Sequence, residues 1–196
     1  MGKGAQTRQQ ILDHALRLAS EQGVEGLSIG ALAEQVGMSK SGLFAHFSSR
    51  DNLQVAVLEE TARRFVERVV TPALTSPRGE PRVRALFEGW LAWGEADFLP
   101  GGCILFGAIS ELDDRPGPAR DCLVAAQRDW LDTLAQAARI AKREGHFRAD
   151  LDPEQLAFEV FGVVAGTMTY ARLLHAADAP ARARAAFERI VLAARK

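Results

Sequence analysis

The sequence SIGALAEQVGMSKSGLFAHF, which occupies residues 28–47, decides the fold of this chain. Ser28 stands in the position of an N-cap, immediately before a run of apolar residues at helical spacing. These apolar residues are Ile29, Leu32, Ala33 and Val36. One apolar stripe of this length predicts a helix of about two turns.

A tight turn and a second short helix follow. Gly37 lies where a helix C-cap requires a left-handed residue, and Ser39 offers a new N-cap two residues later. Leu43 and Phe47 are one turn apart, so we expect both side chains to pack inward. The outward side is small, polar and basic, and consists of Lys40, Ser41, Gly42, Phe44, Ala45 and His46. The whole stretch therefore predicts a helix-turn-helix.

The outward residues have the chemistry of a DNA-reading surface, because the second helix of this motif meets base edges in the major groove. Lys40 can donate to guanine or phosphate, and Ser41 can donate or accept. Phe44 can pack on sugar or a thymine methyl group, and His46 can bond to phosphate. Gly42 has two explanations, since it lets the backbone approach DNA or lets the two helices pack closely.

The pattern extends on both sides of this stretch. It comprises Ile11, Leu12, Ala15, Leu18, Ala19, Gly23, Leu27, Ser28, Ile29, Leu32, Ala33, Val36, Gly37, Met38, Ser39, Gly42, Leu43, Phe44, His46, Phe47, Asp51, Asn52 and Leu53. On these residues the chain resembles the N-terminal domain of the TetR family of bacterial transcriptional regulators. The resemblance implies a three-helix domain that binds operator DNA as a homodimer, followed by a helical domain that binds an inducer. Residues 101–103, Gly-Gly-Cys, are similar to a recurring feature in a subset of the C-terminal domains of this family.

The candidate DNA contacts are Arg8, Ser28, Ser39, Lys40, Ser41, Gly42, Phe44, His46 and Arg50. Two of them depart from the family pattern, because Phe44 replaces its usual Tyr and Arg50 replaces its usual Lys. Phe44 lacks the hydroxyl and is expected to make only a packing contact. Arg50 keeps the charge, and its planar guanidinium suits phosphate. Arg8, at the start of the first helix, is either a contact to the DNA backbone or a solvated surface charge.

Composition sets further bounds on function. The chain has 196 residues, of which 47% are apolar, so it has room for one large or two small domains with a buried core. Its net charge of −1 is unusual for a protein that coats DNA but is no objection to a sequence-specific regulator. Neither a membrane-spanning run nor the apolar core of a signal peptide is present in the sequence. Two distant cysteines and four histidines form no metal motif. We therefore expect a cytoplasmic protein without metal, cofactor or membrane partner.

Helical periodicity continues to the end of the chain, with little strand-like alternation. A capping box at residues 7–10 predicts the start of the first helix, and Thr71 followed by Pro72 predicts the end of the fourth. We predict an all-α fold with roughly nine helices. Residues 1–50 are expected to form the helix-turn-helix DNA-binding domain, and residues 51–196 a helical effector-binding and dimerisation domain.

The last two helices carry more apolar surface than one small domain needs. A four-helix bundle made from two chains would bury this surface, and a dimer would match a palindromic operator. The alternative is that both helices are ordinary core. The candidate interface residues are Phe161, Gly162, Gly166, Phe187, Ile190 and Val191.

A pocket for the effector is expected among the C-terminal helices, with Tyr170 or Glu95 as a polar contact. Aromatic residues at helical spacing are also compatible with an ordinary core. The candidate pocket residues are Trp90, Trp93, Phe98, Cys103, Phe106, Trp130, Phe161 and Tyr170.

Together these features predict a homodimeric repressor that a small-molecule effector releases from a double-stranded, palindromic operator. One alternative is a helical protein-interaction module whose helix-turn-helix no longer binds DNA. Another is an enzyme that uses Cys103, but no His-Asp or His-Asn arrangement accompanies this cysteine. We therefore expect no enzymatic activity.

Overall fold

The computed structural model describes residues 3–196. Within that range the chain forms nine helices, with α4 counted as one continuous helix, and no strand apart from an isolated bridge between Phe147 and Arg195. The helices are α1 (Lys3–Gln22), α2 (Ile29–Gln35), α3 (Lys40–Phe47), α4 (Arg50–Phe65, Val66–Val70 and Thr71–Leu74), α5 (Glu80–Trp93), α6 (Ile104–Leu112), α7 (Pro118–Arg143), α8 (Pro153–Arg172) and α9 (Ala179–Ala194). The predicted all-α fold is confirmed. None of the described helices is apolar over a length that would cross a membrane.

The helices form two compact units. The N-terminal unit consists of the described residues up to Arg64 together with Glu95–Ala126. The C-terminal unit consists of Phe65–Gly94 and Gln127–Lys196. Both α4 and α7 thus contribute residues to each unit. Packing defines these units, whereas the functional boundary expected at residue 50 stays a prediction.

Local signals start and stop the helices of the helix-turn-helix as predicted. The Oγ atom of Ser28 accepts a hydrogen bond from the N–H of Ala31 at 3.1 Å, and Oγ of Ser39 accepts one from the N–H of Gly42 at 3.1 Å. Gly37, between the two helices, has a φ of +66°. These contacts satisfy orphan N–H groups and reverse the chain within a few residues.

The first helix starts earlier than predicted. α1 already includes Lys3, so Thr7 lies inside the helix and the predicted N-cap at this residue is wrong. Ala5 and Gln6, which precede Thr7, are good helix formers and extend the helix through it.

The predicted end of the fourth helix at Thr71 and Pro72 is also wrong. A π-helical turn, Val66–Val70, precedes the proline, and the N–H of Thr71 bonds to the carbonyl oxygen of Val66, five residues back. Such a turn is wider than an α-helical turn and shifts the hydrogen-bond ladder. It thereby admits Pro72 into a helix that continues to Leu74.

A buried carboxylate joins α1 to α4 in the N-terminal unit. Glu60 is 7% exposed and accepts hydrogen bonds from Nε2 of Gln9 at 2.9 Å, from Nε of Arg63 at 2.8 Å and from Nε of Arg64 at 2.7 Å. Arg64 also pairs with Asp13 of α1. Burial by itself raises the pKa of Glu60, but the three hydrogen-bond donors more than offset this, and the pKa falls from 4.5 to about 2.

We predict that Glu60→Gln lowers the free energy of unfolding by about 1–3 kcal/mol at neutral pH, because charge-assisted hydrogen bonds are lost. The folded-state pKa lies below the unfolded-state value, so the contribution of Glu60 is complete above pH 4.5 and is lost as the pH falls towards 2. The variant should therefore lose less stability than the natural chain over this pH range. Urea unfolding at a series of pH values measures both effects.

The matched control is Glu59→Gln, since Glu59 precedes Glu60 in α4 and is exposed. An equal loss of stability in the two variants would contradict the role assigned to Glu60.

Candidate functional site

Most of the outer face of α3 is exposed, whereas His46 is half-buried, with its ring centroid 6.4 Å from that of Phe47. Lys40 and Ser41 are exposed, and Phe44 is 52% exposed although it is a large apolar residue. Leu43 is fully buried and Phe47 is 3% exposed, so their predicted inward orientation is confirmed. No acidic residue lies in the first turn of α3. The helix therefore presents basic, polar and aromatic groups together.

The close-packing explanation of Gly42 is wrong. A β-carbon on Gly42 would lie 3.1 Å from Oγ of Ser39 and 3.5 Å from Cε of Met38, and it would meet no atom of α2 within 4 Å. Gly30, at the start of α2, is approached closely by the side chain of Lys40. A β-carbon there would lie 3.2 Å from Cε of Lys40, so the lysine side chain extends across α2.

Both candidate arginines lie against other parts of the N-terminal unit. The guanidinium carbon of Arg8 is 5.3 Å from the ring centroid of Phe47, which is a cation–π contact. Nε of Arg50 donates to the carbonyl oxygen of Leu27 at 2.9 Å. Nη2 of Arg50 donates to the carbonyl oxygen of Glu25 and lies 3.5 Å from its carboxylate oxygen Oε2. Arg50 therefore fixes the loop between α1 and α2, while its side chain is still 46% exposed.

The segment from Gly101 to Glu111 contacts the end of α1 and the loop between α1 and α2. Oε2 of Glu111, in α6, accepts a hydrogen bond from the N–H of Glu25 at 2.7 Å. A β-carbon on Gly23 would lie 2.7 Å from both carboxylate oxygens of Glu111. The N–H of Gly101 donates to Oγ of Ser20 at 3.0 Å, and a β-carbon on Gly101 would lie 1.5 Å from the carbonyl oxygen of Ser20. Glycine is thus required at residue 101 because the backbone approaches α1 directly.

These contacts make Glu25 the centre of a charged network that sequence reasoning missed. Its carboxylate pairs with Arg115 as well as Arg50, and it accepts a hydrogen bond from Nε2 of Gln54 at 3.1 Å. Glu25 and Glu111 are 86 residues apart in sequence, so no local pattern relates them.

Four aromatic pairs form a cluster in the C-terminal unit. The ring centroid of Phe65 is 5.4 Å from that of Trp93 and 4.8 Å from that of Trp130. The ring centroid of Trp90 is 5.0 Å from that of Trp130 and 5.7 Å from that of Phe161. We call these five residues the aromatic cluster. The three tryptophans are buried and Phe161 is half-buried. Phe65 was not among the predicted pocket residues, although the other four were.

The other predicted pocket residues lie elsewhere. Phe98, Cys103 and Phe106 belong to the N-terminal unit and are half-buried, and the guanidinium carbon of Arg64 lies 5.3 Å from the Phe98 ring centroid. Tyr170 is 49% exposed. It lines a groove of about 240 Å³ between α8 and α9.

The C-terminal unit also contains a cavity of about 470 Å³ that includes none of the predicted residues. Its lining comprises Val70, Leu74, Arg82, Leu86, Asp129, Asp132, Thr133, Gln136, Ala137 and Ile140. Across residues 3–196, no group of three His, Cys, Asp or Glu side chains is arranged to hold a metal ion.

Two predicted interface residues belong to the core instead. Phe187 is 3% exposed and stacks on Phe87, with centroids 3.9 Å apart and planes at 4°, and Val191 is fully buried. Neither side chain is available at the surface of the chain, so the prediction is corrected for both. The apolar stripe of α9 points into its own unit because Phe87 of α5 covers it. Phe161 and Ile190 are half-buried.

The exposed apolar surface lies mainly on α8 and immediately after it. Phe158 is 69% exposed and Leu173 is 74% exposed. Between them, Gly162 and Gly166 have no atom within 4 Å of the position that a β-carbon would occupy. The sequence analysis identified the two glycines but not the two apolar residues that flank them.

The chain matches two family models. Residues 11–57 match the model described as bacterial regulatory proteins of the tetR family, and residues 79–187 match the tetracyclin repressor-like C-terminal domain. Among curated proteins, the HTH-type transcriptional repressor AcnR of Corynebacterium diphtheriae is 36% identical over 85 residues, which cover 43% of this chain and 45% of AcnR. The matched region spans less than half the length of the curated relatives.

Solved structures share the fold over a longer range. A TetR transcriptional regulator from Chloroflexus aurantiacus has a TM-score of 0.87 and 23% identity, with 98% of this chain and 96% of that chain covered. AibR in complex with isovaleryl coenzyme A and operator DNA has a TM-score of 0.68 and 24% identity, with 83% and 85% covered. The C-terminal family model alone covers more than half of the chain, and the helix-turn-helix is in place, so the protein belongs to the TetR family of bacterial regulatory proteins.

Proposed function

We propose that this protein is a cytoplasmic, homodimeric transcriptional repressor that binds a palindromic operator in double-stranded DNA. A small-molecule effector releases the protein from this operator. The observation that carries the proposal is the outer face of α3. Lys40, Ser41 and Phe44 are exposed there, while Leu43 and Phe47 anchor the opposite face. Such a helix can enter the major groove without losing its own packing.

The start of α3 supports base reading in particular. The first turn combines the positive end of the helix dipole with Lys40, and the turn contains no acidic residue. A β-carbon on Gly42 would lie 3.1 Å from Oγ of Ser39 and would meet no atom of α2, so we assign the missing side chain to the approach of DNA to this turn. Phe44 supplies an apolar contact for sugar or a thymine methyl group.

Contacts to the DNA backbone are assigned to the flanks of this surface. Arg8 is held against Phe47 of α3, which fixes its position relative to the recognition helix. The main contribution of Arg50 is to hold the loop before α2 in place, and its exposed portion also suits phosphate. Oγ of Ser28 accepts a hydrogen bond from the backbone N–H of Ala31, which leaves the hydroxyl hydrogen as a donor for phosphate.

The dimer interface is assigned to the exposed strip of α8. Phe158, Gly162, Gly166 and Leu173 follow one another at helical spacing on one face. The open space at both glycines means that they serve no packing within the chain. Small residues flanked by exposed apolar ones suit the close approach of a second copy of α8.

Coupling between effector and DNA is assigned to the segment around α6. Gly101 and Glu111 bind α1 and the loop after it, where Arg50 also acts. An effector that prefers another position of this segment would shift the positions of α2 and α3, in proportion to its difference in affinity between the two states.

We expect Lys40→Ala and His46→Ala to weaken operator binding by about 1–3 kcal/mol per half-site, because each removes a DNA contact. The operator is first selected from a random duplex library, and affinity is then measured by fluorescence anisotropy. Both variants should remain dimeric. The steep fall of affinity with salt that phosphate contacts cause would also exclude a purely protein-binding module.

The control for these variants is Arg143→Ala, which removes an exposed charge at the end of α7. Unchanged operator binding in both the Lys40 and the His46 variant would contradict the proposed interface.

For the dimer, we expect Gly166→Leu to produce a monomer at concentrations where the natural chain is dimeric. The new side chain fills space that a partner helix needs, but it meets no atom of its own chain within 4 Å at its β-carbon. Sedimentation equilibrium measures the shift. Gly107→Leu is the matched control, because Gly107 of α6 is equally open and lies off the strip. A Gly166→Leu variant that stays dimeric would refute this interface.

For coupling, we expect Glu111→Ala to weaken operator binding about threefold to tenfold, the effect of one lost hydrogen bond. The N–H of Glu25 loses its acceptor, so the loop before α2 is held less firmly. The comparison is with Ser110→Ala, whose hydroxyl is exposed and bonds only within α6 at 3.4 Å. Equal operator affinities for the two variants would remove Glu111 from the coupling pathway.

A further inference from the structure

The space beside Gly30 of α2 is occupied by a single side chain of α3. A β-carbon on Gly30 would lie 3.2 Å from Cε, 3.5 Å from Nζ and 4.0 Å from Cδ of Lys40, and no atom from another helix is nearer. The last three atoms of the lysine side chain therefore lie across α2 at this residue. A carbon at 3.2 Å is closer than an ordinary contact between carbon atoms, so the lysine follows this path because residue 30 has no side chain.

This path brings the ammonium group of Lys40 to the first turn of α2. Gly30 is the second residue of that helix, and the N-cap residue Ser28 lies two residues before it. Oγ of Ser28 accepts a hydrogen bond from the N–H of Ala31, so its hydroxyl hydrogen remains available as a donor. An ammonium donor and a hydroxyl donor thus lie at the same end of α2.

The ammonium group has no counter-charge of its own. Among residues 3–196, Lys40 forms no ion pair, and neither α2 nor α3 carries an acidic residue in its first turn. DNA offers two kinds of acceptor, since base edges are neutral whereas each backbone phosphate carries a negative charge. A backbone phosphate is therefore the acceptor that suits Lys40 and Ser28 together.

Contact with α2 also restricts the lysine side chain before DNA binds. Lysine has a flexible four-carbon stem and loses much conformational freedom when its ammonium group is fixed. A side chain that already lies along α2 has less freedom left to lose in the complex. The missing side chain at Gly30 thereby contributes to affinity without any contact between Gly30 and DNA.

We propose that Gly30 is a positioning residue for DNA binding. It lets Lys40 lie across α2, where the lysine and the hydroxyl of Ser28 contact one backbone phosphate in each half-site. This inference rests on the proposed function, because it requires that the protein binds DNA, and it narrows the role of Lys40. Lys40 fixes the position of the protein on the duplex, and base reading is left to Ser41, Phe44 and His46.

The test adds side chains of increasing size at residue 30. Gly30→Ala should weaken operator binding about threefold and Gly30→Val about tenfold, because the larger side chain displaces Lys40 further. Gly30→Ala should at the same time raise the urea midpoint of unfolding, since alanine is a better helix former than glycine. A purely structural role would lower stability and affinity together, so a fall in both would overturn the proposal.

The matched control is the same substitution in a chain that lacks the lysine side chain. In the Lys40→Ala background, Gly30→Val should cause no further loss of affinity, because the side chain that it displaces is absent. An equal loss in the two backgrounds would overturn the positioning role.

Salt dependence and sequence selection test the phosphate contact. The proposed dimer has two copies of Lys40, so Lys40→Ala should reduce the slope of log affinity against log salt by about 1.8. The variant should still select the operator sequence that the natural chain selects, because phosphates carry no sequence information. An unchanged slope, or a relaxed preference at one base pair, would overturn the phosphate contact.

A duplex of scrambled sequence separates this proposal from the proposed function. Every duplex has backbone phosphates, so the Gly30 and Lys40 variants should weaken binding to the scrambled duplex as well. If the natural chain selects no operator but these losses remain, the repressor is overturned and the positioning role is retained. If the natural chain selects an operator that the Gly30 variants bind equally well, the positioning role is overturned and the repressor is retained. A natural chain that binds neither duplex overturns both.

Discussion

The burial of Leu43 and Phe47 is the constraint on which the helix-turn-helix depends. α3 has only eight residues, and a helix of this length is not stable in water by itself. Its two buried side chains and the cap from Ser39 therefore supply the stability that helix propensity alone does not provide. Because packing uses only one face, the opposite face is free to carry Lys40 and Phe44. In the proposed function, one side of this short helix packs against the core and the other side contacts DNA.

The same part of the chain is stabilised by polar contacts from distant residues. Glu60 connects α1 to α4, and Glu25 connects the loop before α2 to Arg50 at the start of α4 and to Arg115. Glu111 adds a direct hydrogen bond from α6. These contacts hold α1, the loop before α2 and the start of α4 together through residues that lie outside α3. The segment around α6 thus contacts α1 and the loop that precedes α2.

The C-terminal unit combines aromatic packing with a charged network that joins Glu80 and Arg84 of α5 to Glu188 and Arg195. Phe65, Trp90, Trp93, Trp130 and Phe161 pack mostly edge to face, and one indole N–H is left without an acceptor. The π-helical turn of α4 begins beside this cluster and also accommodates Pro72.

The sequence alone determined the features that a few neighbouring residues control. The caps at Ser28 and Ser39 and the left-handed Gly37 were all readable, because capping and φ preference act within about four residues. The inward stripe of α3 was readable from spacing for the same reason. Only the tertiary structure decided which element covers each stripe. In the tertiary structure Phe187 stacks on Phe87, Glu111 binds Glu25, and Arg50 lies against the loop before α2. The partners in each pair are many residues apart, so no local periodicity encodes these contacts. For the same reason the sequence could not show that Nε1 of Trp130 has no acceptor in the chain.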